Sequence, residues 1–366
     1  MNQRKLMNDK SLHKEFKWNG NSFTNQGSLF HFVDRDFPEI SNFIREWFDD
    51  DRLIHCMTSG STGKPKLIGL ERQHMINSAQ ATGHFFNLGA GSKALLCLPM
   101  EFIAGKMMLV RAMVLGWHLD SIDPNSRPEI PKDTHYDFSA MVPLQLSNSL
   151  NKLDTIRILI VGGGETFPNL RSKLTNLRAK IYATYGMTET ITHVALMPLN
   201  KPAGLSEKNM SFTGLPGISF STDFRQCLCI QAPGISDKEI VTNDIVELIS
   251  DHQFNWLGRY DNIINSGGVK LIPEAIEKKF KTLIQERFFL AAVPDQVLGE
   301  KLILIVEGEQ ENELLESLQD FQTHHSHEIS RYEIPKQVYF TKAFIQTDTG
   351  KIKRKATIKL ALPFKI

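Results

Sequence analysis

Up to Gly214, short apolar runs bounded by turn residues alternate with longer mixed stretches. KALLCLP (93–99), FSAMVP (138–143), IRILIVGGG (156–164) and KIYATYG (180–186) have the length and texture of strands. The run after Ala104 and the stretch FPNLRSKLTNLRA (167–179) read as helices, the first of them amphipathic. Strands alternating with helices predict an α/β architecture with at least partly parallel strands. From Gly214 the texture changes to short strands and turns, as in FSTDFRQCLCIQAPG and DIVELISDHQFNWLG, which predict an antiparallel or barrel-like piece.

After Arg259 the order becomes loop, helix (PEAIEKKFKTLIQE), strand (FFLAAVP), strand (KLILIVEG), helix (ENELLESLQDFQTHHS) and strand (KQVYF), a small α+β unit. A large domain over 1–258 and a small one over 259–366 are therefore expected, with the boundary near Gly258 to Asp261. No repeat period or low-complexity tract interrupts this plan.

Composition narrows the function classes. Across 366 residues, 42 Lys plus Arg stand against 41 Asp plus Glu, so no global field favours nucleic acid or an anionic membrane surface. The apolar region from Ala94 to Trp117 is broken by Glu101, Lys106 and Arg111 and does not read as a membrane span. The N-terminal stretch MNQRKLMNDKSLHKEF lacks the apolar core of a secretory signal, and a reduced cytoplasmic setting is expected. Cys56, Cys97, Cys227 and Cys229 are too scattered for a disulfide scaffold, and Cys227 and Cys229 read as buried thiols on a strand. His324, His325 and His327 read as a solvated helix end rather than a metal site.

The stretch CMTSGSTGKPK (56–66) carries candidate chemistry. It has the residues of a phosphate-binding Walker loop at the wrong spacing: two residues separate Gly60 from Gly63, and Pro65 follows Lys64. Thr58, Ser59, Ser61 and Thr62 still offer hydroxyls, Gly60 and Gly63 let backbone N–H groups converge on an anion, and Lys64 or Lys66 can add a charge. Taken alone, the motif leaves a flexible Ser/Gly turn as a serious competitor.

Further along come GGGETF (162–167), YGMTET (185–190), TND (242–244), GRYDNIINSGGVKLIPEAIE (258–277), VPDQVLGE (293–300) and TDTGKIKR (347–354). In this order the set resembles the adenylate-forming superfamily of acyl-CoA synthetases, luciferase-like enzymes and peptide-synthetase adenylation domains, from about Thr58 to the C-terminus. The resemblance implies ATP and Mg²⁺ as cofactors, with CoA as co-substrate and a small carboxylic acid as the group activated. The acid would attack the α-phosphate of ATP, and a thiol would then displace AMP.

Each motif has its own chemistry. Tyr185 offers a ring to stack on a base, Thr188 a hydroxyl, and Glu189 a hard oxygen for Mg²⁺. Gly163, Gly164 and Glu165 follow a strand end where a flat ligand can lie on bare backbone, and the resemblance places them with Gly186 around the adenine. It places Asp244 on the ribose hydroxyls beside Arg259, although Asn243 stands where the family usually has Gly. It makes Asp261 a hinge, brings Gly267 and Gly268 to the CoA tunnel, and singles out Lys351 as the catalytic lysine.

Only about 57 residues precede the loop, so the large domain is expected to be trimmed at its N-terminus and its substrate to be small. LPMEFIAGKMMLVRAM and YGMTETITHVAL look most like the o-succinylbenzoate:CoA ligases of menaquinone biosynthesis. A second carboxylate on the acid would want a cation or several donors. Lys106, Arg111, Thr192 and His193 are candidates, with Phe102 and Met187 as further acyl-pocket residues. For Lys106 and Arg111, a solvent-facing helix surface is an equal alternative. A carrier-loading adenylation enzyme, a synthetase for another small acid, and a silent nucleotide-binding module stay open, and a homodimer is compatible with all of them.

Overall fold

The computed structural model describes residues 12–57, 67–164, 170, 173–200, 210–281, 283–309, 313–346 and 352–362. The chain forms two compact units: the first holds 1–220, 230–240 and 250–253, the second 221–229, 241–249 and 254–366.

In the first unit, β1 (Lys17–Trp18) and β2 (Asn21–Ser22) precede α1 (Gln26–Asp36) and α2 (Ser41–Phe48). The antiparallel hairpin β3 (Leu53–Met57) and β4 (Leu67–Glu71) leads into α3 (Arg72–Phe86). Then come β5 (Lys93–Leu96), α4 (Ile103–Leu115), β6 (His118–Ser121), β7 (Tyr136–Met141) and α5 (Pro143–Asn148). They are followed by β8 (Ile156–Val161), β9 (Lys180–Gly186), β10 (His193–Pro198) and β11 (Phe212–Gly214).

The main sheet of this unit runs β2-β1-β6-β5-β7-β8-β9-β10-β11. Its middle, β6-β5-β7-β8-β9, is parallel, as the strand and helix alternation predicts, and β10 turns back antiparallel on β9. Leu95, Leu159, Val161 and Ile181 pack with Leu146 and Leu174 in a continuous apolar core.

One expectation changes here. The run after Ala104 is not amphipathic, because α4 is buried from Met107 to Met113, Arg111 included. Gly105 makes this close packing feasible, since a side chain there would overlap the carbonyl of Pro99.

Four strands, β12 (Ser219–Thr222), β13 (Cys227–Gln231), β14 (Ile240–Ser250) and β15 (Gln253–Arg259), each have residues in both units. The observed partition thus differs from a single cut at 258/259, because paired strands carry the chain back and forth. Cys227 and Cys229 are buried on β13, outside any disulfide.

The rest of the second unit comprises β16 (Ile264–Ser266), β17 (Val269–Leu271), α6 (Pro273–Phe280), β18 (Phe288–Asp295), β19 (Gly299–Glu307), α7 (Leu314–His324), β20 (Gln337–Thr341) and α8 (Arg354–Ala361). Strands β18 and β19 bury both faces. Leu290, Leu302 and Leu304 pack with Ile276 and Phe280 of α6 and Leu318 of α7. Their neighbours Phe289, Ala291 and Ile303 pack with Phe344 and Leu362. Period-two alternation places successive residues on opposite faces, so two apolar faces need helices on both sides. Among the described residues, no helix is long and apolar enough to cross a membrane.

Candidate active site

Arg111 is the most unusual residue of the first unit. Its guanidinium, 2% exposed, donates from Nε to Thr82 Oγ1 at 3.2 Å and from Nη2 to Thr192 Oγ1 at 3.0 Å. His193 lies against the same hydroxyls, with Nδ1 2.9 Å from Thr192 Oγ1 and Nε2 3.5 Å from Thr82 Oγ1. Among the described residues, no carboxylate lies within ion-pair distance of Arg111. Burial pulls its pKa down to about 9, which still leaves a cation at neutral pH. Burial, and then the charge of Arg111, hold the His193 pKa well below its ordinary value, so that imidazole is neutral. A buried cation without a counter-charge costs stability, and the protein retains one here.

The backbone that presents Thr192 is strained. Ile191, buried and β-branched, has φ 63° and ψ −60°, while the Thr192 N–H donates to Thr190 O at 2.6 Å. That is a γ-turn of the rare hand, a conformation kept only where surrounding structure imposes it. Gly186 permits it, because any side chain there would overlap the carbonyl of Thr192.

The rest of YGMTET surrounds this turn. Tyr185, next to last on β9, is half-buried with its ring 5.8 Å edge-on from Phe212, and Met187 and Thr188 are half-buried. Glu189 is exposed on a short 3₁₀ turn and borders a cleft of about 260 Å³ with Glu71, His74 and Asp237. The carboxylates of Glu71, Glu189 and Asp237 are hard oxygen donors that suit Mg²⁺ in kind. Among the described residues no group of three or more His, Cys, Asp or Glu side chains could hold a metal ion by itself.

The other first-unit candidates divide. Gly163 has φ 83° and, with Gly164, is exposed just past β8. Phe102, 37% exposed, caps the start of α4. Lys106 parts company with Arg111: its Nζ lies 3.5 Å from the carbonyl of His55 and 5.2 Å from the centre of the Phe43 ring, at the base of the β3–β4 hairpin. Thr58, Ser59, Gly60, Ser61, Thr62, Gly63, Lys64, Lys66, Glu165 and Lys351 lie outside the described residues.

The second unit gathers the remaining candidates. Asp244, on β14, is buried and accepts from Trp256 Nε1 at 3.2 Å and from Arg259 Nη1 at 3.5 Å. Arg259 donates its Nη2 to Asp261 at 2.9 Å. Gly267 and Gly268 form the two-residue turn between β16 and β17 with φ 58° and 82°, which side chains would strain. On either side of 347–351, Gln346 bridges Ile352, and the Lys353 N–H donates to Ile345 O at 2.8 Å. Arg354 then grips Glu277 with two hydrogen bonds of 2.8 and 2.9 Å. Sequence reasoning missed Thr82, Ile191, Trp256 and this Arg354–Glu277 pair. No local pattern announces them, since each acts through a partner remote in sequence or through backbone geometry.

A family model described as AMP-binding enzyme matches residues 12–217, more than half of the chain. The 2-succinylbenzoate–CoA ligase of Lactococcus lactis subsp. lactis (strain IL1403) is 28% identical over 336 residues, covering 84% of this chain and 71% of that protein. The Arabidopsis thaliana 2-succinylbenzoate–CoA ligase, described as chloroplastic/peroxisomal, is 23% identical, covering 87% and 68%. Among solved structures, an acyl-CoA synthetase (AMP-forming)/AMP-acid ligase II-like protein from Dyadobacter fermentans superposes with a TM-score of 0.58 at 38% identity, covering 89% of this chain and 95% of that one. O-succinylbenzoate coenzyme A synthetase from Bacillus subtilis, in complex with ATP and magnesium ion, shares the fold with a TM-score of 0.68 at 14% identity, covering 91% and 82%. The chain belongs to the AMP-binding enzyme family.

Proposed function

We propose that this protein is an AMP-forming acid:CoA ligase that converts o-succinylbenzoate to o-succinylbenzoyl-CoA for menaquinone biosynthesis, in the cytoplasm. The observation that carries the choice of acid is Arg111, a buried cation with hydroxyl partners and, among the described residues, no carboxylate within ion-pair distance. A second carboxylate on the substrate would supply the missing charge, with Thr192 as an additional donor and neutral His193 beside it. Phe102 and Met187 would flank the remainder of the acid.

In the first half-reaction one carboxylate of the acid attacks the α-phosphorus of ATP and the bond to the β-phosphate oxygen breaks, giving acyl-adenylate and pyrophosphate. In the second, the CoA thiolate attacks the acyl carbon and AMP leaves, its proton balance met by solvent. The loop from Thr58 to Lys66 would hold phosphate oxygens, with Lys106 supporting its base. Glu189 would hold Mg²⁺, whose charge eases the approach of two anions, and Thr188 would add a hydroxyl. Asp244 and Arg259 would bind the ribose, while Tyr185, Gly186 and the segment Gly163 to Glu165 would border the adenine. Lys351 would stabilise charge developing on the phosphate and carboxylate oxygens. Asp261 would serve as the hinge that exchanges Lys351 for the Gly267–Gly268 turn between half-reactions.

The test is pyrophosphate release across aromatic, dicarboxylic and fatty acids, run with and without CoA. O-succinylbenzoate should give the fastest release, and thioester should accumulate when CoA is present. A clear preference for another acid contradicts the substrate, and a thioester formed on a carrier protein but not on CoA contradicts the acceptor.

A further inference from the structure

Asn243, which stands where the family usually has Gly, is built into a chain of polar contacts in the second unit. The guanidinium of Arg225 is fixed first. It donates Nε to Asp223 Oδ2 at 2.8 Å, Nη2 to the carbonyl of Thr242 at 3.2 Å, and Nη1 to Asn243 Oδ1 at 2.9 Å, and it lies 5.1 Å from the centre of the Tyr260 ring. Arginine has donors and no acceptor, so this contact compels the carboxamide oxygen of Asn243 to face Arg225. The Asn243 amide nitrogen is thereby aimed at Asp261, 3.4 Å from each carboxylate oxygen. Asp261 in turn receives Arg259 Nη2, while Arg259 Nη1 points at Asp244. Asp261 is half-exposed, so without Asn243 its carboxylate would be free to swing and take one arm of Arg259 with it.

We infer that Asn243, oriented by Arg225, is a positioning residue for the Asp244–Arg259 pair, and that this relay sharpens recognition of the ribose hydroxyls of ATP. The inference rests on the reading that Asp244 and Arg259 bind the ribose. A glycine at 243 has no group with which to make the relay. A surface ion pair that merely braces the turn between β12 and β13 would not involve the amide of Asn243 at all.

The test is direct titration of the full chain with Mg-ATP and with Mg-2′,3′-dideoxyATP, which lacks the ribose hydroxyls. The ratio of the two dissociation constants reports ribose recognition independently of the acid. Asn243→Ala should shrink the preference for ATP by about three- to tenfold, the worth of roughly one hydrogen bond. Arg225→Met should shrink it similarly, and the double variant no further, because both act through one relay. A preference unchanged in Asn243→Ala but lost in Asp244→Asn overturns the relay and leaves the ribose reading standing. A preference unchanged in Asp244→Asn overturns the ribose reading and the relay with it. Should Arg225→Met melt early, Asn243→Ala, an uncharged change at a half-buried position, decides the question by itself.

Discussion

Arg111 donates a 3.0 Å hydrogen bond to Thr192, and Thr192 reaches it from a strained turn centred on Ile191. A cation, two hydroxyls and a neutral imidazole are thus assembled in the first unit around a charge that folding by itself disfavours.

The first consequence concerns stability. Arg111→Met fills similar space without a charge, at the expense of two hydrogen bonds to threonine. Relief of the uncompensated charge should win, raising the unfolding free energy by about 1–2 kcal/mol. Urea unfolding measures it. A variant less stable than the parent protein would show that the two hydrogen bonds, or an anionic partner already in place, outweigh the cost of the buried charge.

His193 makes stability sensitive to acid. Its folded-state pKa is depressed below the unfolded value, first by burial and then by Arg111. Below about pH 6.5 the unfolded chain therefore binds a proton that the native state refuses, and stability falls by up to about 1.4 kcal/mol per pH unit from this group. At higher pH both states carry neutral imidazole and the effect vanishes. Unfolding curves at pH 7.5 and 5.5 for the parent protein and His193→Gln should show a smaller acid loss in the variant. Equal losses would mean that His193 gains its proton without leaving the folded state.

The second unit rests on another buried charge. Glu277, 7% exposed in its side chain, accepts from Arg354 and from the Leu290 N–H, and burial pushes its carboxyl pKa up despite those bonds. Arg354→Met should cost about 3–5 kcal/mol by leaving the carboxylate unpaired. Adding Glu277→Gln should recover a large part, because the charge that suffers is gone. A double variant as unstable as Arg354→Met alone would assign the loss to packing against Phe289, whose ring centre lies 5.3 Å from the guanidinium.

Lys351 separates the half-reactions. Lys351→Ala should lower adenylate formation by about a hundredfold or more, the worth of one charged contact to the transition state. It should keep thioester formation from supplied acyl-adenylate. Equal losses in the two assays would remove its assigned role.

Much of the architecture was legible in the chain. KALLCLP, IRILIVGGG and KIYATYG became β5, β8 and β9 because strand length and apolar content are local properties. The segment after Arg259 was expected to be loop, and its short strands β16 and β17 around the Gly267–Gly268 turn, with positive φ at both glycines, were not read from the sequence. The helix around Arg111 was misjudged because counting charges as solvent-facing assumes that no polar partner waits inside. Thr82 and Thr192 wait there, 29 residues before and 81 residues after Arg111. The helix expected over PEAIEKKFKTLIQE ends at Phe280, where the chain turns to bury Ile284 in the core. Ile191 gave no signal at all: a β-branched residue is the wrong choice for its backbone, and tertiary structure alone imposes it.

The central claim is that Arg111 reads a second carboxylate on the acid. It is tested by kcat/KM for pyrophosphate release by the parent protein and Arg111→Met, with o-succinylbenzoate and with its analogue lacking the carboxylate that is not activated. The account predicts a loss of about thirtyfold or more for o-succinylbenzoate, as for a buried charge pair broken at an interface, and little change for the analogue. Equal losses for the two acids would contradict it.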